Sequence, residues 1–175
     1  MIVVVAGVAG SGKSTVGGRL ARRLGWMFAD GDSFHPAASV AKMAAGLPLD
    51  DADREPWLAA MCSWMDDIIA SGQSAVLACS ALKRRYRDRL LDGRDEAVMV
   101  FLSISKEQDE ARVAARQGHF FHSPLLASQF AALEPPGPDE PRVYPVITSE
   151  APPGQLVAQI IEMLHLQPAR PLEPK

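Results

Sequence analysis

The sequence has little or none of several features that would point to particular classes of protein. It contains only two cysteines, its aromatic content is 6%, and asparagine is absent from all 175 residues. The cysteines, Cys62 and Cys79, have no metal-ligand spacing, and a net charge of −3 argues against wholesale binding to nucleic acid. A chain without asparagine cannot carry the Asn-Lys-x-Asp element of guanine recognition, and Asp-x-x-Gly is missing as well, so a switch GTPase is disfavoured.

Long apolar runs are also missing. The apolar N-terminal stretch ends after a few residues at a glycine, which is too short for a signal peptide or a membrane span. A hydrophobic fraction of 47% and a charged fraction of 22% are ordinary for a globular domain. We therefore expect one cytoplasmic domain over residues 1–166, without membrane or nucleic-acid partners, and a disordered proline-rich tail at 167–175.

The most informative stretch follows the first apolar run. Residues 7–14 read Gly-Val-Ala-Gly-Ser-Gly-Lys-Ser, the G-x-x-x-x-G-K-S spacing of a phosphate-binding loop between a strand and a helix. Glycines let backbone N–H groups converge on an anion at a helix N-terminus. Lys13 can reach the β- and γ-phosphates, and the Ser14 hydroxyl can ligate Mg²⁺. A nucleoside triphosphate is the predicted ligand, and its predicted contacts are Gly7, Val8, Ala9, Gly10, Ser11, Gly12, Lys13, Ser14 and Thr15.

Strand-like apolar runs alternate with helix-like segments along the whole chain. We predict strands at 2–6, 26–29, 74–79, 97–102 and 143–147, and helices near 14–24, 54–70, 82–91, 106–117, 124–133 and 156–166. Pro145 confines the last strand to an edge or a bulge. This alternation indicates an α/β fold with a parallel sheet, in which ligands bind at the carboxyl ends of the strands. The phosphate loop, the Asp30–Asp32 turn and residues 80–87 follow three of those strands, so we expect one shared site.

Five further blocks lie in order along the chain, at residues 28–36 (FADGDSFHP), 42–51 (KMAAGLPLDD), 53–58 (DREPWL), 79–88 (CSALKRRYRD) and 118–121 (GHFF). Together with the phosphate loop they resemble the gluconokinases, P-loop kinases related in fold to shikimate kinase. The resemblance covers about residues 2–137 and implies ATP- and Mg²⁺-dependent phosphorylation of D-gluconate to 6-phosphogluconate. It also implies a five-stranded sheet of order 2-3-1-4-5 and a mobile lid around 112–122. A homodimer is left open, because family members often form one.

The resemblance further implies roles for residues after the second and third strands. We expect Asp30, with Ser14, to hold Mg²⁺ and Asp32 to orient the substrate hydroxyl, although an Asp-Gly-Asp can also be a capped turn. Candidates for contacts with gluconate are Arg54, Lys83, Arg84 and Arg87, because cations pair with its carboxylate and a guanidinium does so bidentately. For Arg84, and for its neighbours Arg85 and Arg89, a solvated helix face is the alternative. His35 and His119 are expected at the substrate, or else as hydrogen-bonding caps.

Arg112 and Arg116 are four residues apart and share a helix face, from which they could reach the γ-phosphate. Lys13, Asp32 and Arg116 are thus the predicted catalytic residues, with a plain surface helix as the alternative for the arginines. Two other functions stay open: another small-molecule kinase of shikimate or polyol-acid type, and a regulatory nucleotide-binding module without turnover. The segment 147–149 lacks the aspartate that gluconokinases tend to carry there, so adenine contacts are not assigned.

Overall fold

Strands and helices alternate through the part of the chain that the structure describes. The computed structural model describes residues 1–104, 123–148 and 151–169, with the backbone alone for 123–125. In chain order the elements are β1 (Ile2–Ala6), α1 (Lys13–Leu24), β2 (Met27–Asp30), a 3₁₀ turn (Gly31–Phe34), α2 (Ala37–Ala44), α3 (Asp51–Ala70), β3 (Ala75–Ala78), α4 (Arg84–Leu91), β4 (Ala97–Ser103), α5 (Ser123–Ala132), β5 (Val143–Ile147) and α6 (Pro153–Met163). The predicted α/β class is confirmed.

The strands form one five-stranded parallel sheet of order β2-β3-β1-β4-β5. This is the order that the family resemblance implied. Every residue of the central strand β1 is buried, which explains its unbroken apolar sequence. Pro145 lies in β5 opposite Phe101, and β5 is an edge strand, where a missing N–H is tolerated.

Alternate residues of β1 face two separate hydrophobic cores. Ile2 and Val4 pack with apolar side chains of α3 and α4 on one face of the sheet. Val3 and Val5 pack with side chains of α1 and α6 on the other face. Because both faces are covered, ligands reach the sheet at its strand ends, where the loops lie.

Three helices begin two or three residues away from the predicted start. α3 begins at Asp51, because Asp50 and Asp53 form a reciprocal capping box in which each carboxylate accepts from the other residue's N–H at 2.9 Å. α4 begins at Arg84, because Ala81 adopts a left-handed φ of 38° and Lys83 is extended. α6 begins at Pro153 and not near residue 156, because proline is suited to the first turn of a helix.

Some predicted features lie outside the described residues. These are the helix at 106–117, the lid around 112–122 and residues 170–175 of the tail. Within the described range the Ala169 N–H donates to the Leu24 carbonyl at 2.7 Å, beside the end of α1. No helix among the described residues is long and apolar enough to span a lipid bilayer.

Candidate active site

The loop at residues 7–14 has the backbone that anion binding requires. Gly7, Gly10 and Gly12 have φ values of 141°, 83° and 98°. A Cβ on Gly7 would lie 2.6 Å from the Leu102 carbonyl oxygen, so only glycine fits there. The first N–H groups of α1 have no partner within the helix, and Gly12, which precedes it, has no side chain to cap them. These groups are a ready site for a phosphate.

Two side chains complete this loop. Lys13 Nζ donates to the Val8 carbonyl at 2.8 Å, so the ammonium group lies across the loop. Ser11 is 1% exposed, and its hydroxyl is one of two buried side-chain polar atoms that lack a partner among the described residues. A buried hydroxyl without a partner costs free energy, and a phosphate oxygen would satisfy it. The loop therefore fits the triphosphate that its sequence predicts.

The structure brings the two predicted metal ligands together. Ser14 Oγ, in the first turn of α1, donates to Asp30 Oδ2 at 2.6 Å, and Asp30 ends β2. Asp30 Oδ1 accepts from the Asp32 N–H at 3.1 Å, which holds the carboxylate in place. The described residues contain no group of three or more His, Cys, Asp or Glu side chains that could cage a metal. A hydroxyl and one carboxylate fit Mg²⁺, which in phosphate sites keeps several waters and takes oxygen ligands from the substrate.

A tryptophan fixes the turn that carries Asp32. Trp57 of α3 is buried, and its indole Nε1 donates to the Gly31 carbonyl at 2.7 Å. The His35 ring stacks on Trp57 with centroids 4.8 Å apart and planes 4° apart. Burial lowers the pKa of His35 more than the nearby Asp32 raises it, so the ring is neutral at physiological pH. Its buried Nδ1 is the second polar atom without a partner among the described residues, which suits a hydrogen bond to a ligand.

The thiol beneath this turn is not reactive. Cys79 is 2% exposed and packs so closely under Gly31 that a Cβ added to this glycine would lie 2.8 Å from the cysteine Cβ. Burial raises the pKa of Cys79 to about 12, so the thiolate is not populated at neutral pH.

Tyr86 lies beside two of the cations predicted to contact the substrate, Arg54 and Lys83, and beside Arg85, which was not among those candidates. Arg54, Lys83 and Arg85 place their charges 5.9, 5.7 and 5.3 Å from the centre of its ring. Asp51, the first residue of α3, accepts hydrogen bonds from Lys83 Nζ at 2.9 Å, from the Arg85 guanidinium and from the Tyr86 hydroxyl. Arg85 first, then Lys83 and Tyr86, hold the pKa of Asp51 well below its usual range. Asp51 and Tyr86 were not predicted as site residues.

Arg87 does not join this cluster, and this corrects the sequence-based expectation. Its side chain is 1% exposed, and Nε and Nη2 donate to the two carboxylate oxygens of Glu140 at 2.7 and 2.8 Å. Nη1 donates to the Leu82 and Glu134 carbonyls at 2.9 Å each. Four of the five guanidinium N–H groups are thus engaged within the protein, so Arg87 supports the fold and is not available to gluconate. Arg84, half exposed, pairs with Asp139 and fits the solvated face given as its alternative.

Another contact at the phosphate loop was not foreseen. Gln129 of α5 accepts a hydrogen bond from the Ala9 N–H through Oε1 at 2.7 Å. No motif surrounds Gln129, and its loop partner is 120 residues away in sequence, so no local pattern points to this pairing. The predicted residues Arg112, Arg116 and His119 lie outside the described residues, and their roles stay predictions.

Comparison with known proteins agrees with this geometry. Residues 2–136 match the family model described as AAA domain. The chain is 45% identical to the gluconokinase of Gluconobacter oxydans (strain 621H) over 167 residues, covering 94% of this chain and 90% of that protein. Among solved structures it superposes on an unliganded sugar kinase from Janibacter sp. HTCC2649 with a TM-score of 0.88 and 40% identity, covering 95% of each chain. A gluconokinase from Sinorhizobium meliloti 1021 gives a TM-score of 0.79 and 39% identity, covering 93% of this chain and 94% of that one.

Proposed function

This chain belongs to the gluconokinase family, and on that premise we propose that it transfers the γ-phosphoryl group of ATP to D-gluconate, forming 6-phospho-D-gluconate and ADP. It is a small-molecule kinase of the P-loop class. The proposal rests above all on one juxtaposition. The Ser14–Asp30 pair, at 2.6 Å, joins the phosphate loop directly to the turn that carries Asp32.

On the nucleotide side, the loop from Gly7 to Ser14, with Thr15, would bind the phosphates of ATP, except that the Ala9 N–H is bonded to Gln129 and is not one of the donors. Lys13 already lies across the loop, where its charge can follow the phosphoryl group as it leaves the donor. Ser14 and Asp30 would hold Mg²⁺, which when bound neutralises negative charge on the phosphates. The buried Ser11 hydroxyl would gain the acceptor that it lacks among the described residues.

On the acceptor side, Asp32 would accept a hydrogen bond from the attacking hydroxyl and take its proton as the new P–O bond forms. Phosphoryl transfer needs positioning and charge stabilisation more than a strong base. Two contacts position Asp32 for this role. Its N–H donates to the Asp30 carboxylate, and the indole of Trp57 donates to the carbonyl of the preceding residue, Gly31. The neutral ring of His35 beside it would complete the wall of the pocket and offer its unsatisfied Nδ1.

Gluconate is an anion, and Arg54 with Lys83 supplies the matching charge. Both lie against Tyr86, and Asp51 holds Lys83 in place. A carboxylate bound by two cations at one end would direct the opposite end of the sugar acid towards Asp32. Arg87 is left out of this assignment because its guanidinium is bound to Glu140.

The activity is tested by measuring ADP release with Mg²⁺-ATP against gluconate, shikimate, glucose, glycerate and nucleoside monophosphates. Turnover confined to gluconate is expected. Turnover of another acceptor would still indicate a small-molecule kinase, but with a different substrate. If no acceptor causes ADP release while ATP still binds, the regulatory module without turnover would be favoured. The family comparisons do not favour either alternative.

The role of Asp32 is tested separately by Asp32→Asn, which keeps the shape of the side chain and removes its basic oxygen. We expect kcat to fall by about two to four orders of magnitude, the usual range for a lost general base, with ATP affinity retained. Asp67→Asn, a change at an exposed position of α3, is the control and should behave as the unchanged protein. Full activity of the Asp32 variant would remove the proposed role.

A homodimer, which the family resemblance left open, and a cytoplasmic location, which was expected from the composition, stay predictions. The molar mass of the purified protein, measured by light scattering, tests the first of them. A mass of two chains would support the dimer, and a mass of one chain would exclude it under the conditions used.

A further inference from the structure

α5 and the residues just after it contact both halves of the proposed site. Gln129 accepts from the Ala9 N–H at 2.7 Å, and Ala9 is the third residue of the phosphate loop. Beyond the helix, the Glu134 N–H donates to the Leu82 carbonyl at 3.0 Å, and the Glu134 carboxylate accepts from the Arg84 N–H at 2.7 Å. Leu82 and Arg84 flank Lys83. The bond of Gln129 therefore reaches the side of the site that would bind ATP, the phosphoryl donor. The bonds of Glu134 reach the side that would bind the phosphoryl acceptor.

Packing and hydrogen bonds anchor the segment between these two contacts. Phe130 and Leu133, on either side of the helix end, pack against the hydrophobic core beneath α3 and α4. The Glu134 carbonyl also accepts from buried Arg87, which Glu140 holds in turn. Gln129 thus fixes the loop to an element that is itself anchored at several points.

The direction of the Ala9 N–H indicates that this contact positions the phosphate loop and does not bind the anion. A phosphate loop binds its anion through N–H groups that converge on the interior of the loop. The Ala9 N–H instead donates to a side chain of another element, so it anchors the outer turn of the loop in place.

We propose that Gln129 is a positioning residue, which holds the outer turn of the phosphate loop at a fixed distance from the residues that bind the acceptor. This inference rests on the proposed function, since it requires phosphoryl transfer between those two sides. Reactions between bound partners depend steeply on distance, and a displacement of about 1 Å can cost up to about a hundredfold in rate. Loss of the contact therefore affects the transfer step more than the binding of either substrate.

The test compares Gln129→Met, which keeps the length of the side chain and removes its amide oxygen, with Gln129→Glu, which keeps an acceptor oxygen. Gln155→Met on the exposed surface of α6 is the matched control. For each variant we would measure kcat, both KM values, ATP affinity by calorimetry and the melting temperature. Gln129→Met is expected to lower kcat by about tenfold or more while ATP affinity stays within about threefold. Gln129→Glu should retain kcat within about threefold, its added charge appearing only in the KM for ATP, and Gln155→Met should match the unchanged protein.

Two results would overturn the inference while the proposed function stands. One is an unchanged kcat in Gln129→Met; the other is a loss of kcat in Gln129→Glu as large as in Gln129→Met, since the acceptor oxygen would then be irrelevant. If the melting temperature and the ATP affinity fall in the first case, where kcat is unchanged, the role of Gln129 is purely structural. If the unchanged protein acts on an acceptor other than gluconate, the proposed function fails, and a tenfold loss in Gln129→Met with that acceptor still supports the positioning role. Absence of any turnover overturns both.

Discussion

Arg87 and Glu140 form a buried ion pair in which both carboxylate oxygens are bound, at 2.7 and 2.8 Å. One of those oxygens also accepts from the Gly137 N–H at 2.9 Å. The pair ties α4 to the proline-rich connector that leads from α5 to β5. Because α4 follows Lys83, the backbone of the acceptor side depends on this buried ion pair, which lies outside the proposed site.

Removing one partner of this pair should destabilise the protein strongly. Arg87→Met leaves the Glu140 carboxylate buried without its cation, and breaking such pairs costs about 3–5 kcal/mol. The free energy of unfolding, from urea denaturation followed by circular dichroism, should fall by that amount. Arg22→Met, at an exposed position of α1, is the control and should have an effect near zero. Equal stability of the two variants would mean that the pair contributes little.

The same pair should make stability depend on acidic pH. Hydrogen bonds from Arg87 lower the pKa of Glu140 below its ordinary value of 4.5. A carboxyl whose pKa is lowered by folding contributes stability that is complete above its ordinary pKa and is lost as the pH falls through the folded value. The difference in unfolding free energy between the unchanged protein and Glu140→Gln should therefore be constant above about pH 6 and shrink below about pH 4. A difference that stays constant to pH 3 would contradict this.

Lys83 should act on the binding of gluconate and not on that of ATP. Asp51 and Tyr86 hold its ammonium beside Arg54. Lys83→Met removes one charge-assisted contact, worth about 1.5–3 kcal/mol, so the KM for gluconate should rise by about tenfold or more while the KM for ATP is unchanged. Arg23→Met removes a positive charge from an exposed position of α1 and should leave both constants alone. A parallel rise in the KM for ATP would place Lys83 on the nucleotide side.

Two neighbouring glycines of α1 should respond differently to alanine. A Cβ on Gly17 would lie 3.1 Å from Phe28 Cε2 and 3.5 Å from a Val76 methyl, whereas on Gly18 its nearest contact is Phe28 at 4.0 Å. Alanine gains about 0.5–1 kcal/mol over glycine inside a helix. Gly18→Ala should add this amount to the free energy of unfolding, and Gly17→Ala should add less because Phe28 must move. Equal gains, measured by urea denaturation, would show that the packing of Gly17 against β2 is loose.

Local patterns predict the parts of this site that are contiguous in sequence. The loop from Gly7 to Ser14 and the turn at Asp30 are each complete within a few residues, and parallel-strand geometry brings them to the same edge of the sheet. The strand order followed from the family resemblance, and the structure agrees. For these parts, short sequence motifs and the topology of the sheet are sufficient to predict the structure.

The rest depends on partners that are distant in sequence. The motif places Arg84, Arg85 and Arg87 on one helix, but it does not say which of them faces inward. That is decided by Glu140, 53 residues later, whose carboxylate offsets the cost of burying Arg87. The same holds for Gln129, whose hydrogen-bond partner Ala9 is determined by the packing of α5 against the core and not by the local sequence. A helix face can be read from periodicity, but the identity of a buried polar partner cannot.

Pro145 also has a consequence for the self-association of this protein. The outer rim of a sheet exposes unpaired backbone donors that can recruit a strand from another molecule, which is how aggregates begin. Pro145 interrupts that row of donors in the middle of β5. The opposite rim, β2, has no proline and carries Met27 and Phe28 at 44% and 40% exposure. Among the described residues, the sheet thus carries a proline at one edge strand and none at the other, and self-association under heat stress should start from β2.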